Sequence, residues 1–155
     1  MDGIDRNILI ALQENGAAGL AELAKVAGLS VSATAERVKR LEERGTIRGW
    51  RADLDPEAVG CPLLAWVLVA TRPGRDDSAF RKALRRLEAV LECHAVSGAW
   101  SYLIKLRLPG LAALESFVAE EIRSQPGVER TETIIALATA KETAILPVAP
   151  ATEEE

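Results

Sequence analysis

Residues 20–45, with the sequence LAELAKVAGLSVSATAERVKRLEERG, restrict the possible folds of this 155-residue chain more than any other stretch. Apolar residues recur at helical spacing over its first part, and the spacing is interrupted at Gly28-Leu29. Gly28 suits the end of a helix because a residue without a side chain tolerates a left-handed backbone. Ser30 can then cap a following helix by accepting a backbone N–H bond. The stretch therefore predicts two short helices joined by a tight turn.

The second helix of this pair is predicted to carry different side chains on its two faces. Its outward residues are small near the start and basic farther along, so the backbone can approach a DNA groove and arginines can reach phosphates or guanine edges. The same pattern also fits a helix pair that contacts another protein and exposes a solvated basic face. The residues predicted to face DNA are Ser30, Ser32, Ala33, Glu36, Arg37, Arg40 and Arg44.

A further helix and a short ribbon are predicted on either side of the pair. Asp2 precedes an amphipathic helix over residues 3–14, which can share one small core with the pair. Residues 46–54 alternate and contain a glycine, which predicts a two-stranded wing. Arg48 and Arg51 on this wing can touch the DNA backbone or simply face solvent. We therefore assign residues 1–54 to a winged helix-turn-helix domain.

The second half of the chain alternates strands and helices in the order βαββαβ, which is the ferredoxin-like pattern of an antiparallel sheet with two helices. The fold class is therefore α+β. We assign residues 55–61 to a linker, residues 62–142 to the ferredoxin-like domain, and residues 143–155 to a C-terminal strand and a disordered acidic tail. The predicted strands cover residues 63–71, 90–96, 102–108 and 128–139, and the predicted helices cover residues 77–88 and 111–124.

The sheet of the second domain is predicted to be apolar on both faces, because residues 63–70 and 134–140 contain almost no polar side chains. The face without helices needs a cover, and a second copy of the chain is the simplest one. A two-fold homodimer would place two recognition helices against a palindromic site in double-stranded DNA.

Charge and composition limit the kinds of partner. The net charge is −4, and the first 55 residues carry eight Lys or Arg and nine Asp or Glu. Such a near-neutral domain should bind non-specific DNA weakly, and its affinity for a specific site should depend on the symmetry of a dimer. The chain has no signal-peptide pattern and no apolar run of about 18 residues, so we expect a cytoplasmic protein that does not contact membranes.

Short motifs across residues 2–140 resemble the Lrp/AsnC (feast/famine) transcription regulators. The motifs are DRNIL (5–9), LAELA (20–24), VAGLS (26–30), ERVKRLE (36–42), GTI (45–47), ECHAVSG (92–98), YLIK (102–105) and PGVERTET (126–133). The resemblance implies a winged helix-turn-helix joined to a ferredoxin-like (RAM-type) sensing domain. It also implies dimers that assemble further, often into octamers, and amino acids as effectors.

The resemblance places the effector at a contact between dimers, near the turn after the second strand. A glycine turn can expose backbone N–H groups that hold a carboxylate. Many amino-acid-responsive members carry an acid where this chain has Ser101, and serine lacks the charge to pair with an ammonium group. The effector's identity therefore stays open. The implied effector-binding residues are Gly98, Ala99, Trp100, Ser101, Tyr102, Thr131 and Thr133.

Two other classes of protein remain as alternatives. One is a tetrapyrrole enzyme similar to the sirohaem decarboxylases, which share this architecture, and the other is a ligand-binding module without DNA function. His94 is the only histidine, and its side chain should point away from that of the adjacent Cys93 on a strand. We therefore predict no metal site, no cofactor and no catalytic residue. The intact helix pair argues against the module.

Overall fold

The computed structural model describes residues 1–73 and 77–149, which belong to two compact units. Residues 1–53 and the segment that starts at Lys141 form the helical unit, and residues 54–140 form the sheet unit. No helix in the described part of the chain is long and apolar enough to cross a bilayer.

The helical unit contains the predicted helix-turn-helix. Its helices are α1 (Gly3–Glu14), α2 (Leu20–Ala27) and α3 (Val31–Glu43). They pack around a core that contains Ile8, Leu12, Leu23, Ala27 and Leu41. The backbone turns after α2 at Gly28, whose φ of 65° is left-handed and favours glycine. The N–H groups of Gly28 and Leu29 then bond to the last carbonyls of α2, which fixes the turn into α3.

The wing predicted over residues 46–54 does not form. The N–H of Ile47 bonds to the carbonyl of Leu41 near the end of α3. The indole N–H of Trp50 donates to Glu42 Oε1 at 2.9 Å. These contacts hold the segment against the end of α3, so it does not fold into a two-stranded ribbon.

The predicted βαββαβ order of the sheet unit is confirmed. The strands are β1 (Leu63–Thr71), β2 (Val90–Ala95), β3 (Tyr102–Leu108) and β4 (Val128–Ile135), which form an antiparallel sheet in the order β2-β3-β1-β4. Two helical segments, α4 (Ser78–Leu84) and α5 (Leu111–Phe117), pack on one face, and α5 continues as a π-helix over Val118–Arg123. β4 and α4 end four residues earlier than the sequence predicted.

The two faces of the sheet differ in chemistry. The helix-covered face contains the fully buried Val67 and Ile104, which are register partners. The opposite face, which we call the outer sheet face, is apolar along its middle and charged at its sides. It contains Trp66, Leu68, Leu103 and Ile134, with Glu92, Lys105, Arg107, Arg130 and Glu132 around them. The outer sheet face is therefore apolar along its middle, as expected from residues 63–70, but charged on both sides of it.

The predicted strand over residues 143–148 is also absent. The backbone of Leu146 instead exchanges two hydrogen bonds with the side-chain amide of Gln13. Gln13 Oε1 accepts from the Leu146 N–H at 2.7 Å, and Gln13 Nε2 donates to the Leu146 carbonyl at 3.0 Å. A primary amide offers the same donor and acceptor as a neighbouring strand, so it satisfies this residue without one. The rest of the predicted tail, residues 150–155, lies outside the described residues.

Candidate nucleic-acid interface and effector turn

A charged cluster joins α3 to the start of α1. Arg37 Nη1 lies 2.7 Å from Asp2 Oδ2 and 2.7 Å from Asp5 Oδ1. The Arg37 side chain is 22% exposed, and Asp5 is buried. Arg37 therefore bonds to the start of α1 and does not stand free on the outward side of α3. We call these three residues the Arg37 cluster.

The same two acids form a capping box at the start of α1. The Asp2 carboxylate accepts the Asp5 N–H at 2.9 Å, and the Asp5 carboxylate accepts the Asp2 N–H at 3.3 Å. The bond from the Asp5 N–H, and then that from Arg37, hold the pKa of the Asp2 carboxyl below its ordinary value of 3.8. The cap of α1 and the position of α3 therefore depend on the same charges.

This lowered pKa predicts an acid-sensitive contribution to stability. A group whose pKa is lower in the folded state stabilises the protein above its unfolded pKa, and the contribution is lost as pH falls through the folded pKa. We expect Asp2→Asn to be less stable than the wild type at pH 7, and the difference to shrink between about pH 5 and pH 2. Urea unfolding at several pH values measures this difference. A difference that stays constant with pH would contradict the role assigned to the Asp2 charge.

The exposed strip of α3 consists of residues spaced four apart. Ser32, Glu36 and Arg40 are all exposed, and this spacing places them on one side of the helix. Arg44 is exposed one turn farther along. We call these four residues the α3 strip.

The start of α3 is fixed by hydroxyl groups. Ser30 Oγ accepts the N–H of Ala33 at 3.2 Å, as predicted for the cap, and Ala33 itself is partly buried. Thr34 is fully buried, and its hydroxyl donates to the Ser30 carbonyl at 3.0 Å. Sequence reasoning missed Thr34, although its spacing of four from Val38 was a usable signal. Arg48 and Arg51 are exposed on irregular backbone after α3.

The predicted effector turn connects β2 to β3. Gly98 lies at its exposed tip with a φ of 106°, a conformation that disfavours other residues. Ala99 is also exposed. The guanidinium of Arg130 lies 4.2 Å from the centre of the Trp100 ring, in a cation–π contact that ties the turn to β4.

Ser101 and Tyr102 support this turn from within. Ser101 Oγ accepts the Thr71 N–H at 3.1 Å, and the Thr71 hydroxyl donates to Asp77 Oδ2 at 2.9 Å. The buried Tyr102 hydroxyl also donates to Asp77 Oδ2, at 3.2 Å. Burial, followed by the charge of Asp77, raises the pKa of Tyr102 above its ordinary value of 10.0, so the hydroxyl stays a donor. The sequence suggested Asp76 or Asp77 as the cap of the following helix. The Asp77 carboxylate makes no capping bond and instead accepts from Thr71 and Tyr102, whereas Asp76 lies outside the described residues.

Thr131 and Thr133 lie on β4 beside the centre of the sheet. They are the register partners of Val69 and Val67 on β1. Thr131 Oγ1 accepts from Arg123 Nε at 2.9 Å, whereas Thr133 is exposed. A shallow cavity of about 170 Å³ next to Thr131 is lined by Arg123, Val128, Glu129, Arg130 and Thr131.

The two residues considered as metal ligands point apart, as predicted. Cys93 pairs with Ile104 on the helix-covered face, and His94 pairs with Leu103 on the outer sheet face. Among residues 1–73 and 77–149, no group of three His, Cys, Asp or Glu side chains is arranged to hold a metal ion.

A helix-turn-helix joined to a βαββαβ sheet unit is the architecture expected of a two-domain, DNA-binding transcription regulator. Family models agree with this class: residues 1–42 match the AsnC-type helix-turn-helix domain, and residues 64–146 match the Lrp/AsnC ligand binding domain. The leucine-responsive regulatory proteins of Escherichia coli K12 and Klebsiella pneumoniae are 39% identical over 144 residues, which cover 92% of this chain and 88% of each relative. The chain belongs to the Lrp/AsnC family of transcription regulators.

Solved structures of other regulators share the whole architecture. A transcriptional regulator from Neisseria meningitidis in complex with L-methionine is 34% identical, with a TM-score of 0.89 over 95% of this chain and 96% of that one. The feast or famine regulatory protein of Mycobacterium tuberculosis, also complexed with L-methionine, is 39% identical, with a TM-score of 0.87 over 96% of this chain and 99% of that one. The names of these relatives favour a regulator over the tetrapyrrole enzyme.

Proposed function

We propose that this chain binds palindromic double-stranded DNA as a homodimer through the α3 strip, and that a small molecule at the Gly98 turn modulates this binding. The observation that carries the DNA part is the α3 strip itself, which presents a serine near the helix start and arginines beyond it. In this proposal residues 1–54 read DNA in the cytoplasm, residues 55–61 are the linker, and residues 62–142 sense the effector and dimerise.

The dimer part of the proposal rests on the outer sheet face. Trp66 and Leu68 lie side by side on the central strand β1, and neither is covered by a helix of the same unit. An apolar stripe with charged sides is a composition that suits an interface. A two-fold contact through this face gives two α3 helices and hence a palindromic target, and such dimers can assemble further, up to an octamer.

The effector part rests on the Gly98 turn and on the relatives. Two structural neighbours were solved with L-methionine, which supports an amino acid as the effector class. In this chain Ser101 already bonds to Thr71 and carries no charge. Residue 101 therefore supplies no charge to the effector's ammonium group, and we leave the particular amino acid unassigned.

Fluorescence anisotropy with the region upstream of the protein's own gene tests the DNA part. We expect Arg40→Gln plus Arg44→Gln to weaken specific binding at least about thirtyfold, because two arginine contacts to base edges at about 1–3 kcal/mol each add to about 2–6 kcal/mol. The control Arg72→Gln plus Lys141→Gln removes the same charge from other exposed sites and should bind like the wild type. Equal losses in both variants would reject the α3 strip as the reading surface.

The effector part is tested by repeating the titration with a pool of the twenty amino acids. We expect the pool to shift DNA affinity in the wild type, and Gly98→Val to remove the shift while it retains DNA binding, because valine disfavours a φ of 106°. If the pool has no effect on the wild type, the effector is not an amino acid.

A further inference from the structure

Helix α4 and the turn that follows it carry several positive charges close together in sequence. Residues 78–87 contain four cations and no acid, in a chain whose net charge is −4. The four cations are Arg81, Lys82, Arg85 and Arg86, and all are exposed. Arg81 Nη1 lies 3.5 Å from the Tyr102 hydroxyl. No ion pair within 4 Å involves Lys82, Arg85 or Arg86 in the described part of the chain. We call these three residues the α4 cations.

The helical unit has no excess of cations over acids with which to attract DNA. Residues 1–55 carry eight Lys or Arg against nine Asp or Glu. Arg37 is bonded to Asp2 and Asp5, so it is not available to a phosphate. Contacts of Lys and Arg with phosphates provide most of the salt-dependent affinity for DNA. Because the helical unit is near neutral, a second basic surface would raise the affinity of the protein for DNA.

The position of α4 in the sheet unit leaves this surface open in a dimer. α4 packs through Phe80 and Leu84 on the helix-covered face of the sheet. The proposed dimer uses the outer sheet face, which is the opposite one. The α4 cations therefore lie away from the proposed dimer contact.

We propose that the α4 cations bind the phosphate backbone of DNA outside the palindromic site, as a second, sequence-independent contact made by the sheet unit. Lys82 lies in the last turn of α4, and Arg85 and Arg86 follow directly in the turn after it, so the three cations lie within five consecutive residues. Lysine and arginine contacts with phosphates position DNA without reading its bases. This inference rests on the proposed function for the dimer and adds a contact that the α3 strip does not make.

The test compares two DNA lengths in the full-length protein. One duplex of roughly 25 base pairs spans two half-sites, and the other spans roughly eight helical turns around the same site. We expect Lys82→Gln plus Arg86→Gln to bind the short duplex like the wild type. On the long duplex we expect affinity to fall about tenfold and the slope of log K against log salt to become shallower by about 2 per protomer.

The control Arg72→Gln plus Lys141→Gln carries the same charge change and should leave both affinities unchanged. Phosphate contacts do not read sequence, so the long duplex tests α4 even if the α3 strip recognises no site in it.

Equal affinity of the α4 variant and the wild type for the long duplex would overturn the inference. So would a lower melting temperature with an unchanged salt slope, which indicates a local role at the helix end. A changed oligomer mass in analytical ultracentrifugation would assign the surface to a second copy instead.

Discussion

Arg37→Ala is expected to destabilise the helical unit by about 2 kcal/mol and to weaken DNA binding at least tenfold, although Arg37 itself need not touch DNA. The variant leaves the buried Asp5 carboxylate without its charge partner, and it removes the link between α1 and α3. Urea unfolding and fluorescence anisotropy measure the two effects. Lys39→Ala on the same helix is the control, because its pair with Glu43 is exposed and 3.7 Å long, and such pairs contribute little.

A double-mutant cycle separates this role from direct DNA contact. If Arg37 positions α3 through Asp5, the losses caused by Arg37→Ala and Asp5→Asn are strongly non-additive, because both variants break the same interaction. If Arg37 instead contacts phosphates, Asp5→Asn releases the guanidinium and DNA binding becomes tighter. The second result would contradict the role of the Arg37 cluster and restore the outward position that the sequence suggested.

Leu68→Asp is expected to raise the dimer dissociation constant at least about a thousandfold, which corresponds to about 4 kcal/mol. Leu68 lies on the central strand, next to Leu103 on β3, in the apolar part of the outer sheet face. By symmetry each dimer receives two buried charges without partners. The side chain is only partly buried in one chain, so the folded protomer should persist. Analytical ultracentrifugation measures dissociation, and circular dichroism measures folding.

Ala112→Asp provides the matched control for this variant. It adds the same charge at an exposed position of α5, on the helix-covered side of the sheet. We expect it to remain dimeric and to bind DNA normally, whereas Leu68→Asp should lose most of its affinity for a palindromic site. A dimeric Leu68→Asp protein would reject the outer sheet face as the dimer interface.

Features set by neighbouring residues were predictable from the sequence. The cap at Ser30, the left-handed turn at Gly28 and the order of strands and helices depend on interactions within a few residues or on the periodicity of apolar side chains. Boundaries were less predictable. β4 was expected to reach residue 139, because the apolar run continues that far. The strand ends at Ile135, where its pairing with β1 ends.

Polar contacts between different segments of the chain were the main source of error. Arg37 has the spacing of an outward residue, but its partners lie more than 30 residues away at the start of α1. Ser101 reads as a turn residue, yet it bonds to Thr71 on the neighbouring strand. Trp50 fits an alternating ribbon, but its indole N–H donates to Glu42 on α3. In each case the sequence gives the donor or acceptor but does not identify its partner.

The sequence by itself thus determined the helix-turn-helix, the βαββαβ order, the family and the position of the Gly98 turn. Only the tertiary structure decided that Arg37 is paired with Asp2 and Asp5, what Ser101 bonds to, and how polar the outer sheet face is. The physical reason is the range of the interactions involved. Capping and apolar periodicity act between residues close in sequence, whereas ion pairs and hydrogen bonds between elements depend on how those elements pack.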